Sequence, residues 1–309
     1  MTAALLADLL SAQRARFAAM DPMLPPAVAA PDGELLGAAT PEGTRVAAVH
    51  QVRRHEPGSL DLLWAAATTW QLFPYPGDTA TAGMDALLRA WRHRMDRESP
   101  GTDSACTVTW PSRDTTSARA FLDHGLVPLS VLAVRTGPPQ EHPPPPGVTI
   151  RRARPEDLEE VLVLSLTTFR YSALVAGPWR PGTAELITPR LHRDLAAGAP
   201  IWLAERDGVA VALADCGWVG SEPGSAAAEL LPVGRWGYVN TVATAEHARG
   251  AGIGRALMAR VHRDFTEHGA RATYLYYHPV NPLSSVFWPR QGYRPLWTYW
   301  EVRPAGALR

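Results

Sequence analysis

The chain contains no lysine, so all thirty of its basic residues are arginines. Thirty acidic residues balance them, and the formal net charge is zero. A neutral chain has no broad electrostatic attraction to nucleic acid or to anionic membranes, and we expect neither as a partner. The absence of lysine excludes a P-loop, which needs Gly-Lys-Ser/Thr. We interpret it as the codon bias of a GC-rich bacterial genome.

Cysteine and long apolar runs are also scarce. The two cysteines, Cys106 and Cys216, lie in apolar segments of different halves, which predicts buried free thiols rather than a disulfide or a metal site. No apolar run is long enough to span a membrane, and Asp8, Arg14 and Arg16 interrupt the segment where a signal peptide would need an apolar core. We therefore expect a soluble cytoplasmic protein without a metal.

A proline-rich segment at 136–147 is the clearest boundary in the chain. Consecutive prolines favour an extended polyproline II conformation that cannot join the interior of a sheet. We predict an N-terminal domain at 1–135, a linker at 136–147 and a C-terminal domain at 148–309, each domain being of ordinary size. A proline-rich ligand for a partner domain is the alternative interpretation of the linker.

The C-terminal domain is predicted to have a mixed α/β fold. Its expected strands are 148–152, 200–205, 209–219, 237–244, 272–278 and 293–302, and its expected helices begin at 155 and cover 183–197, 252–268 and 284–291. Asp207-Gly208 between two of these strands indicates a hairpin. This order of elements predicts a layered arrangement of helices on one mixed sheet.

The N-terminal half repeats the end of that pattern. Residues 105–129 align without gaps with residues 272–296, and both segments end in Gly-x-x-Pro-Leu. The repeat indicates a duplicated domain. The first copy's long helix is expected at 84–95, but the residues before it, 79–83, lack the glycines of the second copy. We interpret the first copy as structural, with a leading helix at 4–19.

A glycine-rich segment follows the strand at 237–244. It runs from Arg249 to Arg255 and leads into a helix, so that free backbone N–H groups would lie at the positive end of the helix dipole and could bind a pyrophosphate. Side chains in place of Gly252 and Gly254 would obstruct that approach. The third glycine of a Rossmann fingerprint is missing. A tight turn without a ligand would use the same glycines, so the segment alone leaves both interpretations open.

Two motifs together resemble the GNAT superfamily of N-acetyltransferases. Arg249-x-x-Gly252-x-Gly254 matches the family's [Q/R]-x-x-G-x-[G/A] motif. The segment from Asn281 to Tyr293 resembles the later N-x-x-A-x-x-[FY]-Y-x-[KR]-x-G-F motif. The resemblance covers the C-terminal half and, as a degenerate copy, the N-terminal half. It implies a tandem GNAT fold with acetyl-CoA as the co-substrate.

The resemblance also implies which residues bind CoA. One strand would bond the pantetheine arm through its backbone, as though the arm were a further strand, and the loop would hold the pyrophosphate. Asn281 would contact the arm or the departing thiol, although a helix N-cap role explains the same residue and both roles can hold. The implied set is Val242, Ala243, Thr244, Arg249, Gly250, Ala251, Gly252, Ile253, Gly254, Arg255, Asn281, Ser284 and Trp288.

The acid and base that many members of the family use are absent. The glutamate that many place nine positions before the motif arginine is Asn240 here, and the tyrosine seven positions after the motif asparagine is Trp288. Three interpretations are open: an acceptor nitrogen of low pKa, a base at another residue, or a domain that binds CoA without turnover. The substitute candidates are His278, Tyr276 and Tyr238, and the ordinary pKa of histidine, about 6.5, favours His278.

The resemblance therefore implies transfer of an acetyl group from acetyl-CoA, and we expect the acceptor to be an amine-like nitrogen of a small molecule. Tyr171 and Trp179, between the first two helices of the domain, are the predicted wall of an acceptor pocket for a flat or apolar molecule. Asp215 and Glu229 could meet a cationic substrate. The alternatives are acetylation of a protein or peptide and a non-catalytic acyl-CoA sensor or scaffold. We expect a monomer or a weak homodimer.

Overall fold

The computed structural model of the chain describes residues 3–30, 32–175 and 179–309. Its strands are β1 (Glu34–Ala39), β2 (Arg45–Arg54), β3 (Thr68–Tyr75), β4 (Ser104–Pro111), β5 (Val127–Arg135), β6 (Val148–Arg152), β7 (Ile201–Arg206), β8 (Val209–Ser221), β9 (Gly234–Thr244), β10 (Ala272–Tyr277) and β11 (Arg294–Val302). Its helices are α1 (Ala3–Met20), α2 (Ala80–Met95), α3 (Thr115–Asp123), α4 (Leu158–Val175), α5 (Thr183–Ala196), α6 (Ile253–Glu267) and α7 (Ser284–Arg290).

The chain divides into two compact units that are not simple halves. The first unit contains Met1–Val131, Pro223–Pro232 and Pro295–Arg309, and the second contains Leu132–Glu222 and Val233–Arg294. This division differs from the predicted boundaries chiefly at the C-terminus. The final strand β11 pairs along its length with β4, antiparallel, so it belongs with the first unit.

In the first unit β1, β2 and β3 form an antiparallel meander, and α2 connects β3 to the parallel strand β4. A parallel pair needs such a crossover because its strands run in the same direction. The side of α2 that faces the core repeats at the spacing of three and four residues typical of an amphipathic helix. It consists of Met84, Leu87, Leu88, Trp91 and Met95, all of which are buried.

The second unit repeats this topology. The strands β6 to β9 are successive antiparallel neighbours, and α6 connects β9 to the parallel strand β10. Phe265 of α6 is fully buried against the sheet, and a Cβ at Gly237 would lie 2.5 Å from its ring. Glycine at position 237 therefore lets the helix pack closely on β9.

The predicted mixed α/β fold is confirmed. The elements expected in the C-terminal half are present with shifts of a few residues at their ends, and α1, α2, β4, α3 and β5 appear where the repeat and the leading helix predict them. The strands β1, β2 and β3 were not predicted from the sequence. They complete the correspondence, because β1-β2-β3-α2-β4-α3-β5 has the same order of elements as β7-β8-β9-α6-β10-α7-β11.

Both cysteines are buried and free, as predicted. Burial raises the pKa of the Cys106 thiol to about 12, and burial followed by the nearby charge of Asp215 raises the pKa of Cys216. Neither thiol is therefore ionised near neutrality. Within the described part of the chain, no helix combines the length and the apolar character needed to cross a membrane.

Candidate active site

The strands β9 and β10 separate at their C-terminal ends. Their register pairs Trp236 with Ala272 at one end and Val239 with Leu275 at the other. Beyond Val239, β9 remains paired with β8 as far as Thr244. Alternate residues of the segment 241–244 therefore direct their N–H and C=O groups away from β8, toward the gap that β10 has left. This open strand edge includes Val242, Ala243 and Thr244, and an extended molecule carrying amide groups could pair with it.

A β-bulge marks the point at which the two strands separate. Asp215 of β8 is opposite Thr241, and the next residue, Cys216, is opposite Val239, so that Asn240 is an extra residue on β9. A bulge bends its strand and redirects the side chains beside it. Asn240 consequently lies at the inner end of the gap.

The loop that precedes α6 has the geometry of an anion cradle. Gly250 and Gly252 have φ of +80° and +82°, a conformation in which a residue with a Cβ is strained. Gly252 caps α6 without a side chain. The first N–H groups of the helix have no acceptors within it, and they lie at the positive end of the helix dipole. A Cβ at Gly250 would meet nothing within 4 Å, so the loop is open on that side.

Neighbouring side chains hold this loop against the end of β9. The Arg249 side chain donates from Nε to the carbonyl of Thr244 at 3.1 Å, and its guanidinium lies 5.8 Å from the ring centre of Tyr171. A Cβ at Gly254 would lie 3.5 Å from both Phe287 and the Thr244 hydroxyl, which is ordinary contact distance. Tyr171, predicted as a wall of the acceptor pocket, is therefore adjacent to the arginine of the loop.

Asn281 caps the start of α7. Its Oδ1 accepts hydrogen bonds from the N–H groups of Leu283 and Ser284, at 2.9 and 3.2 Å. The Ser284 hydroxyl donates to the carbonyls of His278 and Asn281. The N-cap alternative for Asn281 is thus present in the structure, and the amide nitrogen of the same side chain is the part that would donate to a ligand.

A chain of polar side chains surrounds the bulge. Asn240 donates from Nδ2 to Asp215 at 2.8 Å and accepts at Oδ1 from the Tyr238 hydroxyl at 3.0 Å. Arg190 of α5 bonds the same oxygen of Asp215 at 2.7 Å and bonds Asp194 at 2.9 Å. Asp215 is 1% exposed, so the carboxylate at the centre of the network is held away from solvent. It fixes the orientation of the Asn240 amide.

The surroundings raise the pKa of two groups of the network, Arg190 and Tyr238. Burial alone would lower the pKa of Arg190, but its attraction to Asp215 and its hydrogen bonds outweigh that effect and raise the pKa. Burial is also the main cause that raises the pKa of Tyr238, and the nearby Tyr276 and Asp215 add to it. Tyr238 is therefore a protonated phenol near neutrality, which makes it a poor general base.

Three tyrosines cover the face of the sheet beside the network. Tyr238 and Tyr274 are register partners on β9 and β10, and their rings stack with centroids 4.8 Å apart. The ring of Tyr276 lies edge-on to both, with centroids 6.2 and 6.1 Å away. Tyr276 and Tyr238, two of the candidate bases, therefore share one surface with Tyr274 and lie beside Asn240. Tyr274 and Arg190 carried no sequence signal of their own.

The other predicted residues lie in different surroundings. Trp288 is buried and packs edge-on against Phe287 and Tyr293, a core environment for the residue at the position of the family's acid. Trp179 is 46% exposed and lies 5.9 Å from the guanidinium of Arg170.

Two further candidates belong to the ends of elements. His278 directly follows β10, and its carbonyl accepts from the Asn281 N–H at 3.0 Å. Glu229 ends the short 3₁₀ turn Ala226–Glu229, which belongs to the first unit. In the described residues, no cluster of three or more His, Cys, Asp or Glu side chains could hold a metal ion.

A split strand pair, a bulge and an anion cradle at the start of the following helix define an α/β domain that can bind an extended, phosphate-bearing ligand. Residues 161–293 match the model of the acetyltransferase (GNAT) family. The segment 161–293 is therefore a domain of the GNAT superfamily, a family of acyltransferases, and the N-terminal part of the chain repeats the order of its elements.

Several solved structures are similar to this chain at low sequence identity. A GCN5-related N-acetyltransferase from Sphaerobacter thermophilus is 18% identical, with 86% of this chain and 80% of that chain covered and a TM-score of 0.52. A tandem GNAT protein from the clavulanic acid biosynthesis pathway is 14% identical over 96% of this chain and 94% of its own, with a TM-score of 0.46. The aminoglycoside N-acetyltransferase AAC(6')-Iy in complex with CoA is 19% identical over 48% of this chain and 89% of its own, with a TM-score of 0.39. Among curated protein sequences, none matches this chain.

Proposed function

We propose that the second unit transfers an acetyl group from acetyl-CoA to an amine-like nitrogen of a small molecule. The observation that carries this proposal is the continuity of the gap with the cradle. The open edge of β9 ends at Thr244, and Arg249 of the loop bonds the carbonyl of that residue. From Asn240 to Thr244 the strand extends roughly 13 Å. A pantetheine arm along this edge would have its phosphates at the loop and its thioester near Asn240.

The residues present fit this ligand. The backbone of Val242, Ala243 and Thr244 offers donors and acceptors to the amides of the arm, and Gly252 and Gly254 leave room for the pyrophosphate. The amide nitrogen of Asn281 can donate to the arm while its oxygen caps α7. Acetyl-CoA would supply an activated acyl group as a thioester.

Direct attack of the amine nitrogen on the thioester carbonyl forms the C–N bond and breaks the C–S bond. The amine proton goes to solvent or to a nearby base, and the departing CoA thiolate takes a proton from solvent to become the thiol. Asn240 cannot accept that proton, because its amide is neutral and already bonded to Asp215 and Tyr238. Placing the amine beside a reactive thioester can itself supply much of the rate. An acceptor nitrogen of low pKa would therefore suit this site.

Thiol release from acetyl-CoA, measured across a panel of amines, tests the proposal together with calorimetry of CoA binding. We expect one CoA site per chain and thiol release that depends on the amine. The pH profile of kcat/KM should follow the ionisation of the acceptor and reach a plateau above its pKa. Tight CoA binding without thiol release from any amine would instead indicate an acyl-CoA sensor, and activity confined to peptides would indicate a protein acetyltransferase.

His278→Ala distinguishes two mechanisms: removal of the proton by His278, and attack by an acceptor nitrogen that is already neutral. If His278 removes the proton, the variant should lose roughly 100-fold in kcat and the profile should lose an ionisation near neutrality. If the acceptor is already neutral, the variant should be nearly silent. A silent variant combined with a preference for alkylamines of high pKa would contradict both mechanisms.

A further inference from the structure

The guanidinium of Arg249 is held by contacts from two different elements. Its Nε donates to the carbonyl of Thr244 at the end of β9, at 3.1 Å. Its Cζ lies over the ring of Tyr171, near the end of α4, 5.8 Å from the ring centre. Arg249 is an exposed residue, and an exposed arginine without such contacts samples many rotamers. The two contacts therefore give this side chain a defined direction.

The same contacts leave most of the donors of the guanidinium free. A guanidinium carries five N–H donors in one plane, and the bond to Thr244 uses only the one on Nε. In the described part of the chain, the donors on Nη1 and Nη2 have neither an acceptor nor a carboxylate partner. The Tyr171 ring attracts the cation through its π face and need not use these donors. Tyr171 can therefore hold the group while a phosphate binds it.

A second arginine reaches the same loop from α6. A Cβ at Gly252 would lie 3.7 Å from Nη2 of Arg255, and within the described residues Arg255 has no carboxylate partner either. Two uncompensated cations beside one cradle suit the negative charge of a pyrophosphate. Of the two, Arg249 is the one whose direction depends on a residue of another helix.

We propose that Tyr171 is a positioning residue that holds Arg249 for the pyrophosphate of CoA. An arginine that is already oriented loses less rotamer freedom on binding a phosphate, so the affinity for the ligand is higher. The proposal rests on the proposed function, because it requires CoA at the cradle. It assigns Tyr171 to the cofactor rather than to the wall of the acceptor pocket.

Two ligands that differ in their phosphates test this role in the full-length protein. They are free CoA, titrated by calorimetry, and pantetheine, which lacks the phosphates and is titrated by NMR. Tyr171→Leu should weaken CoA binding by about three- to fivefold, the size of a cation–π contact at an exposed site. Pantetheine should bind the variant and the wild-type protein equally. Unchanged CoA affinity in Tyr171→Leu would overturn the proposal, as would an equal loss for pantetheine.

Tyr171→Phe is the conservative variant. It keeps the ring, and the hydroxyl that it removes has no hydrogen-bond partner among the described residues. CoA affinity should therefore equal that of the wild-type protein. A loss as large as in Tyr171→Leu would show that the ring is not the group that acts, and would overturn the proposal.

A double-mutant cycle locates the effect in the Arg249–Tyr171 pair. Arg249→Gln introduces the other residue that the family's motif allows, which carries no charge. In this background Tyr171→Leu should have no further effect on CoA affinity, and an equal loss in both backgrounds would overturn the proposal. Phe169→Leu is the matched control for the packing of α4, because it removes a half-buried ring from the same helix. It should leave CoA affinity unchanged, and a loss equal to that of Tyr171→Leu would assign the effect to helix packing instead.

Turnover keeps this result separate from the proposed function. If no amine releases thiol from acetyl-CoA, the proposed transfer fails, and the affinities for free CoA still decide the role of Tyr171. If thiol is released, Tyr171→Leu should raise the KM for acetyl-CoA and leave the KM for the amine unchanged. A raised KM for the amine at unchanged CoA affinity would place Tyr171 in the acceptor pocket and overturn the proposal.

Discussion

The two copies of the repeat, from β1 to β5 and from β7 to β11, share an order of elements but differ at the loop that follows their third strand. In the second unit this loop begins α6 with two glycines of positive φ. In the first unit the equivalent position is the short turn Gly77–Thr79 before α2, and α1 packs against it: a Cβ at Gly77 would lie 2.9 Å from the Leu9 side chain. Asp78 in the same turn is exposed and negative. The leading helix and this carboxylate both oppose a phosphate at that loop.

The residue at the inner end of the gap differs as well. The last pair of β3 with β4 is Leu72 with Val108, so Leu72 corresponds to Val239, and Phe73 takes the place of Asn240. Phe73 packs on a cluster formed by Leu9, Ala47, Val49 and Tyr75. The pairing of β2 with β3 runs through Phe73 without a register shift, so the first unit has no counterpart of the bulge at Asn240.

The helix caps show the same divergence. Asp114 is the counterpart of Asn281 in the ungapped alignment of the repeats, and it caps α3 by accepting from Ser117. It also accepts from Trp110 at 2.7 Å and pairs with Arg16 of α1 at 2.6 Å. Burial alone would raise the pKa of Asp114, but these hydrogen bonds and Arg16 lower it. The side-chain oxygen at this position caps a helix in both copies. Only in the first copy does it also pair with the leading helix α1.

The largest effect is expected from Gly252→Glu. The substitution places bulk and negative charge at the cradle, so CoA affinity should fall at least 100-fold, or about 2.7 kcal/mol. Calorimetry measures this, with circular dichroism to verify the fold. Gly101→Glu is the matched control, because it adds the same side chain at an exposed glycine outside the cradle, where the added Cβ meets nothing within 4 Å, and it should change affinity less than about threefold. Two CoA sites per chain, or full affinity in Gly252→Glu, would contradict the comparison.

The two caps should differ in what they stabilise. Asp114→Ala removes a cap, a Trp110 hydrogen bond and a buried ion pair, and should cost about 2–3 kcal/mol in the free energy of unfolding. Asn281→Ala removes only the cap and should cost about 1 kcal/mol. Urea unfolding gives both values.

Asn281→Asp is the control for the second cap. It keeps the acceptor oxygen, so the free energy of unfolding should return to the wild-type value. It loses the amide donor, so both Asn281 variants should bind CoA more weakly than the wild-type protein. Equal losses of unfolding free energy in Asp114→Ala and Asn281→Ala would contradict the expected difference between the two caps.

Acid should destabilise the second unit through His262 of α6. This ring is buried against Tyr293, and burial, with a smaller effect of Arg135, lowers its pKa to about 3. The unfolded chain takes up a proton near pH 6.5 while the folded unit does not, so stability falls as the pH drops below 6.5. The loss between pH 7 and pH 5 should be about 2 kcal/mol.

Replacing the ring checks this value. His262→Gln should flatten the pH dependence of the unfolding free energy in that range, whereas His247→Gln, at an exposed position, should not. Burial also lowers the pKa of His50 in the first unit, where Trp91 donates to the ring at 3.0 Å. Its substitution should give a change of the same sign. A wild-type profile that is flat from pH 7 to pH 5 would contradict the assignment.

The smallest effect is expected in the loop of the first unit. Asp78→Arg replaces an exposed carboxylate with a group that attracts phosphate, yet the packing of α1 on this turn should still prevent binding. Turnover and the number of CoA sites should both stay unchanged. A second CoA site in calorimetry would show that the charge of Asp78 alone prevents CoA binding in the first copy. A loss of turnover at unchanged stability would show that the first copy has a role in catalysis.

The sequence predicted those parts of the molecule that depend on local patterns. Hydrophobic periodicity located the helices and most strands of the second unit, and the glycines located the loop, because positive φ is a property of single residues. The strands β1 to β3 were missed although turn signals, Asp32-Gly33 and Pro41-Glu42-Gly43, flank the first of them, because polar and apolar residues do not alternate along segments such as Glu34–Ala39.

The rest of the site depends on contacts between distant residues. The pairing of Asp215 with Arg190 and Asn240 joins residues 25 positions apart on both sides, and the bulge is a property of strand register rather than of sequence. The packing of Trp288 in the core likewise follows from its neighbours in space. The pairing of β11 with β4 could not be read from the position of the linker, because no local signal distinguishes the strands available to β4.

That pairing reverses the order in which the protein can mature during synthesis. Pro295–Arg309 is synthesised after every residue of the second unit, and it completes the first unit. The first unit must therefore wait for this segment, while the second unit can already have folded. A message that ends early would yield a chain in which β4 has an unpaired edge, and such an edge invites aggregation and capture by chaperones or proteases.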